Sequence, residues 1–240
     1  MSASNTFPAG RLPTTAPDRS KLGAALRAVL LGVVITAATV TGTLAMSDDT
    51  AAAVSGRLET NAMAPVVTTS ATQALESYDR WTATKDPAAY RSFVWFRTQT
   101  AQYAAIELGY GQAEMVEAWA LAPIGHQRAV LAAMTQLGVP YRKNTSKEGV
   151  GFDCSGITTY AWARAGVELV PQSSAQIQNA ASLDRASAKA GDLVQYPGHV
   201  MMYLGVGDAI VHSVMTGRTV ELDTISERRR NSVRFGDPTL

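Results

Sequence analysis

The chain has 240 residues, of which 46% are hydrophobic and 17% charged, with a formal net charge of +1. That length holds one medium domain plus appendages. The near-neutral balance excludes recruitment of nucleic acid or acidic partners by a global field, and no basic block with interleaved aromatics marks a nucleic-acid binder.

Residues 1–27 are rich in Ser, Thr, Pro and Ala and read as a disordered cytoplasmic leader. Residues 28–46 carry no charge. Arg11, Arg19, Lys21 and Arg27 precede them against a single Asp18, and Asp48 and Asp49 follow. Positive before and acidic after is the pattern of a segment whose far side leaves the cytoplasm. Its length falls between a signal-peptide core and a spanning helix of about 20 residues, and Thr43 and Ala45 offer a small-x-small cleavage site. The segment is read as a signal peptide or a transmembrane anchor, which places the rest at the cell envelope, extracytoplasmic, either secreted or membrane-anchored. Residues 47–70 lack apolar periodicity and read as a linker.

A helical module is expected over residues 71–122. Asp86-Pro87 is a helix start, an N-cap acid followed by proline at the first helical position. Phe93, Phe96, Tyr103 and Ile106 then recur at near-helical spacing up to Gly109. Met115 and Trp119 lie one turn apart in a second helix over residues 112–121. These aromatics are assigned core packing and no chemistry.

The remaining residues, 123–240, form the expected main domain. Gly125-His126 opens a helix whose apolar stripe is Val130, Met134 and Leu137, ending at Gly138. His126, with no evident partner, reads as structural. After a polar loop over residues 142–149 comes GFDCSGITTYAWARAG, a helix from Cys154 or Ser155 to Ala165 stopped by Gly166. Beyond it, residues 192–196, 199–205 and 209–214 read as short strands. A helix carrying the thiol, followed by a small antiparallel sheet carrying histidines, is an α+β layout. Arg228–Arg230 read as a solvated helix face.

Cys154 is the one cysteine. In an exported protein it has no partner for an internal disulfide, which suggests a thiol with a task rather than a small buried hydrophobe. At a helix N-terminus, unpaired N–H groups and partial positive charge favour a thiolate and can bind an oxyanion. The nucleophile needs a base, and His199 and His212 are the only histidines downstream. If residues 205–208 form a four-residue loop, Leu204 pairs with Ala209 and His199 with Val214. Both imidazoles then share a face on a diagonal of about 7–8 Å. A three-residue loop without a bulge would separate them. His199 would accept the thiol proton and His212 would hold its ring through the second nitrogen, so activity should decline in acid as His199 protonates. The same three side chains could form a catalytic zinc set, although their spacing matches no zinc pattern.

The stretch PY, then GFDCSG, GDLV and HVMMYLG in that order resembles the NlpC-like peptidoglycan endopeptidases over residues 125–236. The resemblance implies a papain-like fold, with the cysteine-bearing helix packed on the small sheet. It implies Cys154 as nucleophile, His199 as base and His212 as orienting third member. Tyr141 matches a tyrosine placed near the oxyanion or substrate, and Asp153 and Ser155 match motif flanks that line the substrate end of the cleft. The implied activity is cleavage of peptide stems in peptidoglycan, at the bond joining D-glutamate through its side chain to a diamino acid. No cofactor is implied, and the expected state is a monomer that meets the membrane only through an uncleaved N-terminal helix. Arg142-Lys143-Asn144 replace the family's tryptophan-glycine-glycine, and the interval from His199 to His212 is slightly longer than the family spacing. Two other classes use the same residues: a catalytically silent envelope-binding scaffold, and an acyltransferase or other amidase on this fold.

Overall fold

The structure, a computed structural model, describes residues 61–240. The leader and the apolar segment 28–46 therefore lie outside the described residues. No described helix is long and apolar enough to cross a membrane.

Two long antiparallel helices come first. Helix α1 (Ala64–Thr84) starts within the stretch expected to be linker. Its buried face, Val67, Ala71, Ala74, Leu75 and Tyr78, packs into the main core. The turn ends on Lys85 in the left-handed region. Helix α2 (Pro87–Leu108) begins as the sequence indicates, with Asp86 Oδ1 accepting the Ala88 N–H at 2.8 Å. It stops at Gly109, whose φ of 72° is cheap for glycine. Ala101, Ala104 and Ala105 of α2 are fully buried, so α1 and α2 approach closely. Helix α3 (Gln112–Leu121) then drives Met115 and Trp119 into the main core.

Helix α4 (Ile124–Met134) leads to a short hairpin, β1 (Ser146–Lys147) with β2 (Gly151–Phe152), and then to α5 (Cys154–Ala165) and α6 (Ser173–Asn179). The main sheet has six strands: β3 (Ala181–Leu183), β4 (Leu193–Tyr196), β5 (His199–Tyr203), β6 (Ala209–Ser213), β7 (Val220–Thr224) and β8 (Arg234–Asp237). All pairings are antiparallel, in the order β3-β8-β4-β5-β6-β7.

Period-two alternation splits the sheet between two cores. Val200, Met202 and Leu204 face the large core shared with α1 to α5, while Met201, Tyr203 and Ile210 face a smaller one. The helical module is part of the large core. Trp119 Nε1 donates to Leu204 O at 3.0 Å, the Asp208 N–H donates to the Tyr110 hydroxyl at 3.0 Å, and Arg97 Nη1 donates to Gln127 Oε1 at 2.7 Å.

Candidate active site

Cys154 is the first residue of α5, and the local sequence explains why the helix begins there. Asp153 is its N-cap: Oδ1 accepts the Gly156 N–H at 2.7 Å, while Oδ2 accepts the Asn144 N–H at 2.8 Å. One carboxylate thus caps the helix and ties down the loop in front of it. Gly156 is required by a close approach, because a Cβ there would lie 2.0 Å from the Thr145 carbonyl oxygen. Ser155 Oγ lies 3.0 Å from Asp153 Oδ1 and 3.0 Å from Pro171 O. Asp153 and Ser155, expected at the substrate end of the cleft, also hold the turn in front of the nucleophile. Both still line a 320 Å³ recess with Thr159 and Gln172.

The sulfur is partly buried. Burial pushes the thiol above its ordinary range, and the Asp153 charge adds to this, while backbone N–H groups of Val200, Ser155 and Cys154 itself favour the anion. Val200 is the residue after His199, so the start of β5 lies against the nucleophile.

The loop between β5 and β6 has the even length needed to put both imidazoles on one face. Tyr203 pairs with Ile210, and the Leu204 N–H donates to Ala209 O at 3.0 Å. His199 Nε2 and His212 Nδ1 are 2.8 Å apart, with ring centroids at 5.0 Å and planes at 80°. Burial, followed by the neighbouring His212, lowers the His199 pKa to about 3. Burial thus disfavours the charged form of each group, the thiolate of Cys154 and the imidazolium of His199.

Two tyrosines flank the sulfur. Tyr141 is held by its N–H to Arg218 O at 2.8 Å and by a bridge to Phe152. Burial raises its phenol, and negative charge at Cys154 and Asp153 raises it further. Tyr196, at the end of β4, has its ring centroid 5.2 Å from that of His199, and burial raises its phenol too. Arg229 stacks over the Tyr196 ring at 4.5 Å, and Arg230 pairs with Asp208. Arg228–Arg230 are thus in turn structure, not on a helix face, and Arg229 and Arg230 are used in packing. Beyond Tyr141 runs a groove of 1040 Å³, with Arg142, Arg218, and Pro65 and Thr68 of α1 among its walls.

The sequence missed Asp223. It sits on β7, with Oδ2 3.4 Å from His212 Nε2. His126, read as partnerless, has partners distant in sequence: its Nε2 lies 3.0 Å from Asp192 Oδ1 and 3.4 Å from Asp237 Oδ1. Among the described residues this is the grouping whose donor atoms could surround a metal ion. Here it fastens α4 to the strand β8 and the turn before β4.

Residues 138–235 match the NlpC/P60 family model, so the resemblance carried by FDCSG and HVMMYLG is shown. The chain is 33% identical over 104 residues to murein DD-endopeptidase MepH of Escherichia coli, covering 39% of this chain and 38% of the relative. It is 39% identical over 103 residues to peptidoglycan endopeptidase RipB of Mycobacterium tuberculosis, covering 36% and 42% respectively. It is 33% identical over 94 residues to gamma-D-glutamyl-L-lysine dipeptidyl-peptidase of Bacillus cereus, covering 36% and 28%. The chain spans about two-fifths or less of the length of these relatives.

Proposed function

We propose, from the match of residues 138–235 to the NlpC/P60 family, that this chain is a cell-envelope peptidoglycan hydrolase acting by Cys154, His199 and His212. The observation that carries the reading is the helix-start sulfur set against the Val200 backbone N–H, one residue past His199, whose imidazole meets His212 at 2.8 Å.

His199, held through Nε2, takes the thiol proton on Nδ1 as sulfur attacks the scissile carbonyl carbon. The oxyanion that forms is met by N–H groups at the start of α5. Collapse of the tetrahedral adduct breaks the C–N bond, and the imidazolium returns its proton to the leaving amine. Water, deprotonated by the same ring, then hydrolyses the thioester and regenerates the thiol. Burial disfavours both a free thiolate and an imidazolium, which favours proton transfer concerted with attack.

The bond we favour joins the D-glutamyl side chain to a diamino acid. Support comes from the stem-peptide name of the Bacillus cereus relative, while MepH is named for a DD cut. Location outside the cytoplasm is supported by the charge asymmetry around residues 28–46. Incubating the protein with purified peptidoglycan and weighing the released fragments by mass spectrometry tests the activity and the bond. D-glutamyl–diamino acid products are expected, absent with Cys154→Ala. Release of DD products would reassign the bond, release of other products would point to a different amidase, and no release would favour a silent scaffold.

A further inference from the structure

The catalytic reading above depends on which nitrogen of each imidazole carries a proton. His199 serves as a base toward the thiol only if Nδ1 is bare, which puts its proton on Nε2, aimed at His212 Nδ1. His212 must then be the tautomer protonated on Nε2. The opposite tautomer, with hydrogen on His212 Nδ1, would donate to His199 Nε2, leave hydrogen on His199 Nδ1 and block the base. The 2.8 Å contact alone allows either arrangement.

What lies at His212 Nε2 decides between them. That nitrogen is fully buried and forms no well-shaped hydrogen bond among the described residues, and the carboxylate nearest to it is Asp223, at 3.4 Å. Sheet register explains the placement. His212 pairs with Glu221 across β6–β7, so Asp223 lies on the adjoining diagonal position, two residues along. His199 and His212 are offset by the same step across β5–β6, since Met202 pairs with Val211. The three side chains form one diagonal over three neighbouring strands. Asp223 is anchored by its own backbone contact, with the Thr224 N–H donating to Oδ1 at 2.7 Å. It is half-exposed, so its charge remains partly solvated. The other charged or titratable groups that act on it are Arg218 in the β6–β7 turn and Tyr196 at the end of β4.

We propose that Asp223 is a positioning residue that selects the Nε2-protonated tautomer of His212, and through it leaves His199 Nδ1 free to take the proton of Cys154. A carboxylate, which only accepts, draws the hydrogen of His212 to Nε2, leaving Nδ1 to accept from His199. The inference rests on the hydrolase reading for its consequence but not for its measurement.

The test uses 15N-labelled full chain, whose three histidines give few imidazole signals to assign. In the unsubstituted protein His212 should show hydrogen on Nε2. Asp223→Ala should redistribute it toward Nδ1, and Asp223→Asn, whose amide oxygen still accepts, should keep most of the original tautomer. In the peptidoglycan assay Asp223→Ala should lower kcat about tenfold or more with little change in KM, short of the 10²–10⁴-fold loss on deleting a general base. Asp223→Asn should restore part of it. Hydrogen on Nδ1 of His212 in the unsubstituted protein, or an unchanged tautomer in Asp223→Ala, overturns the proposal. A protein with the expected tautomer that releases no fragments would sink the hydrolase reading and leave the role of Asp223 standing.

Discussion

His199 Nε2 meets His212 Nδ1 at 2.8 Å although the two residues are not directly paired across the β5–β6 hairpin. The contact is diagonal, and the four-residue loop 205–208 sets it. It uses Nε2 of His199 and leaves Nδ1 outside the pair. Burial, followed by the neighbouring His212, disfavours a standing charge on the His199 ring.

The first prediction concerns His212. Replacing it with alanine removes the partner that orients the base, and kcat should fall while KM is largely kept. His212→Gln, which retains an acceptor, should recover part of the loss. His199→Ala should cost about 10²–10⁴-fold in kcat. Equal activity of His212→Ala and the unsubstituted protein in a peptidoglycan-release assay would remove His212 from the site.

Acidity gives a second prediction. His199 is lowered to about 3 by burial and then by His212, so the acid limb of kcat/KM should fall well below the ordinary histidine range near 6.5. The decline anticipated from an unperturbed imidazole therefore moves to lower pH, and near-constant activity between about pH 5 and 7 is compatible with His199 as base. The thiol, raised by burial, should be alkylated by iodoacetamide slowly until the pH exceeds the ordinary cysteine range. Rapid alkylation at pH 6 would instead indicate a resting thiolate.

Stability should follow the same groups. The unfolded chain binds a proton at His199 below about pH 6.5, whereas the folded chain does so only near 3. Stability is therefore complete above the unfolded value and is lost as the pH falls between the two. Asp223, held down mainly by its contact with His212, acts in the same sense at lower pH. Tm should drop between pH 7 and 4, and the drop should shrink in His199→Gln.

The turn in front of the nucleophile should be intolerant. Asp153→Ala removes the acceptor for both Gly156 and Asn144 and should cost about 1–2 kcal/mol in chemical denaturation. Gly156→Ala places a Cβ against Thr145 O and should destabilise more, because backbone must move. If Gly156→Ala unfolds at the same denaturant midpoint as the parent, the close approach does not hold in solution.

A last prediction addresses the helical module. Trp119 is 1% exposed and donates to Leu204 O, so Trp119→Ala should cost about 3–5 kcal/mol. Denaturation should remain a single transition when followed by both circular dichroism and loss of peptidoglycan release. Two separated transitions would make the module an independent domain.

How much of this was legible beforehand depended on sequence distance. Asp86-Pro87, Gly109 and Gly166 mark helix ends with local chemistry, and the helices end where those residues stand. The first turns of α1, residues 64–70, bring only Ala64, Val67 and Ser70 to the buried face, too few large apolar side chains to set a period. Strand β3 has only three residues, and β7 and β8, as long as β5 and β4, carry Glu221, Asp223, Arg234 and Asp237 in place of an apolar run. Arg229 and Arg230 look like a solvated run until Tyr196 and Asp208 arrive from more than twenty residues away.

By itself the sequence placed a helix start at Cys154 or Ser155, where Asp153 stands one residue ahead and caps the first turn. It also stated the condition under which His199 and His212 share a face, a four-residue loop, and the strand register met that condition. Only the tertiary structure decided how deeply the imidazole pair is buried, that Asp223 lies beside His212 Nε2, and that His126 faces Asp192 and Asp237. Those facts depend on which strands become neighbours and what packs over them, and the long-range burial that fixes both leaves no mark on any short stretch of chain.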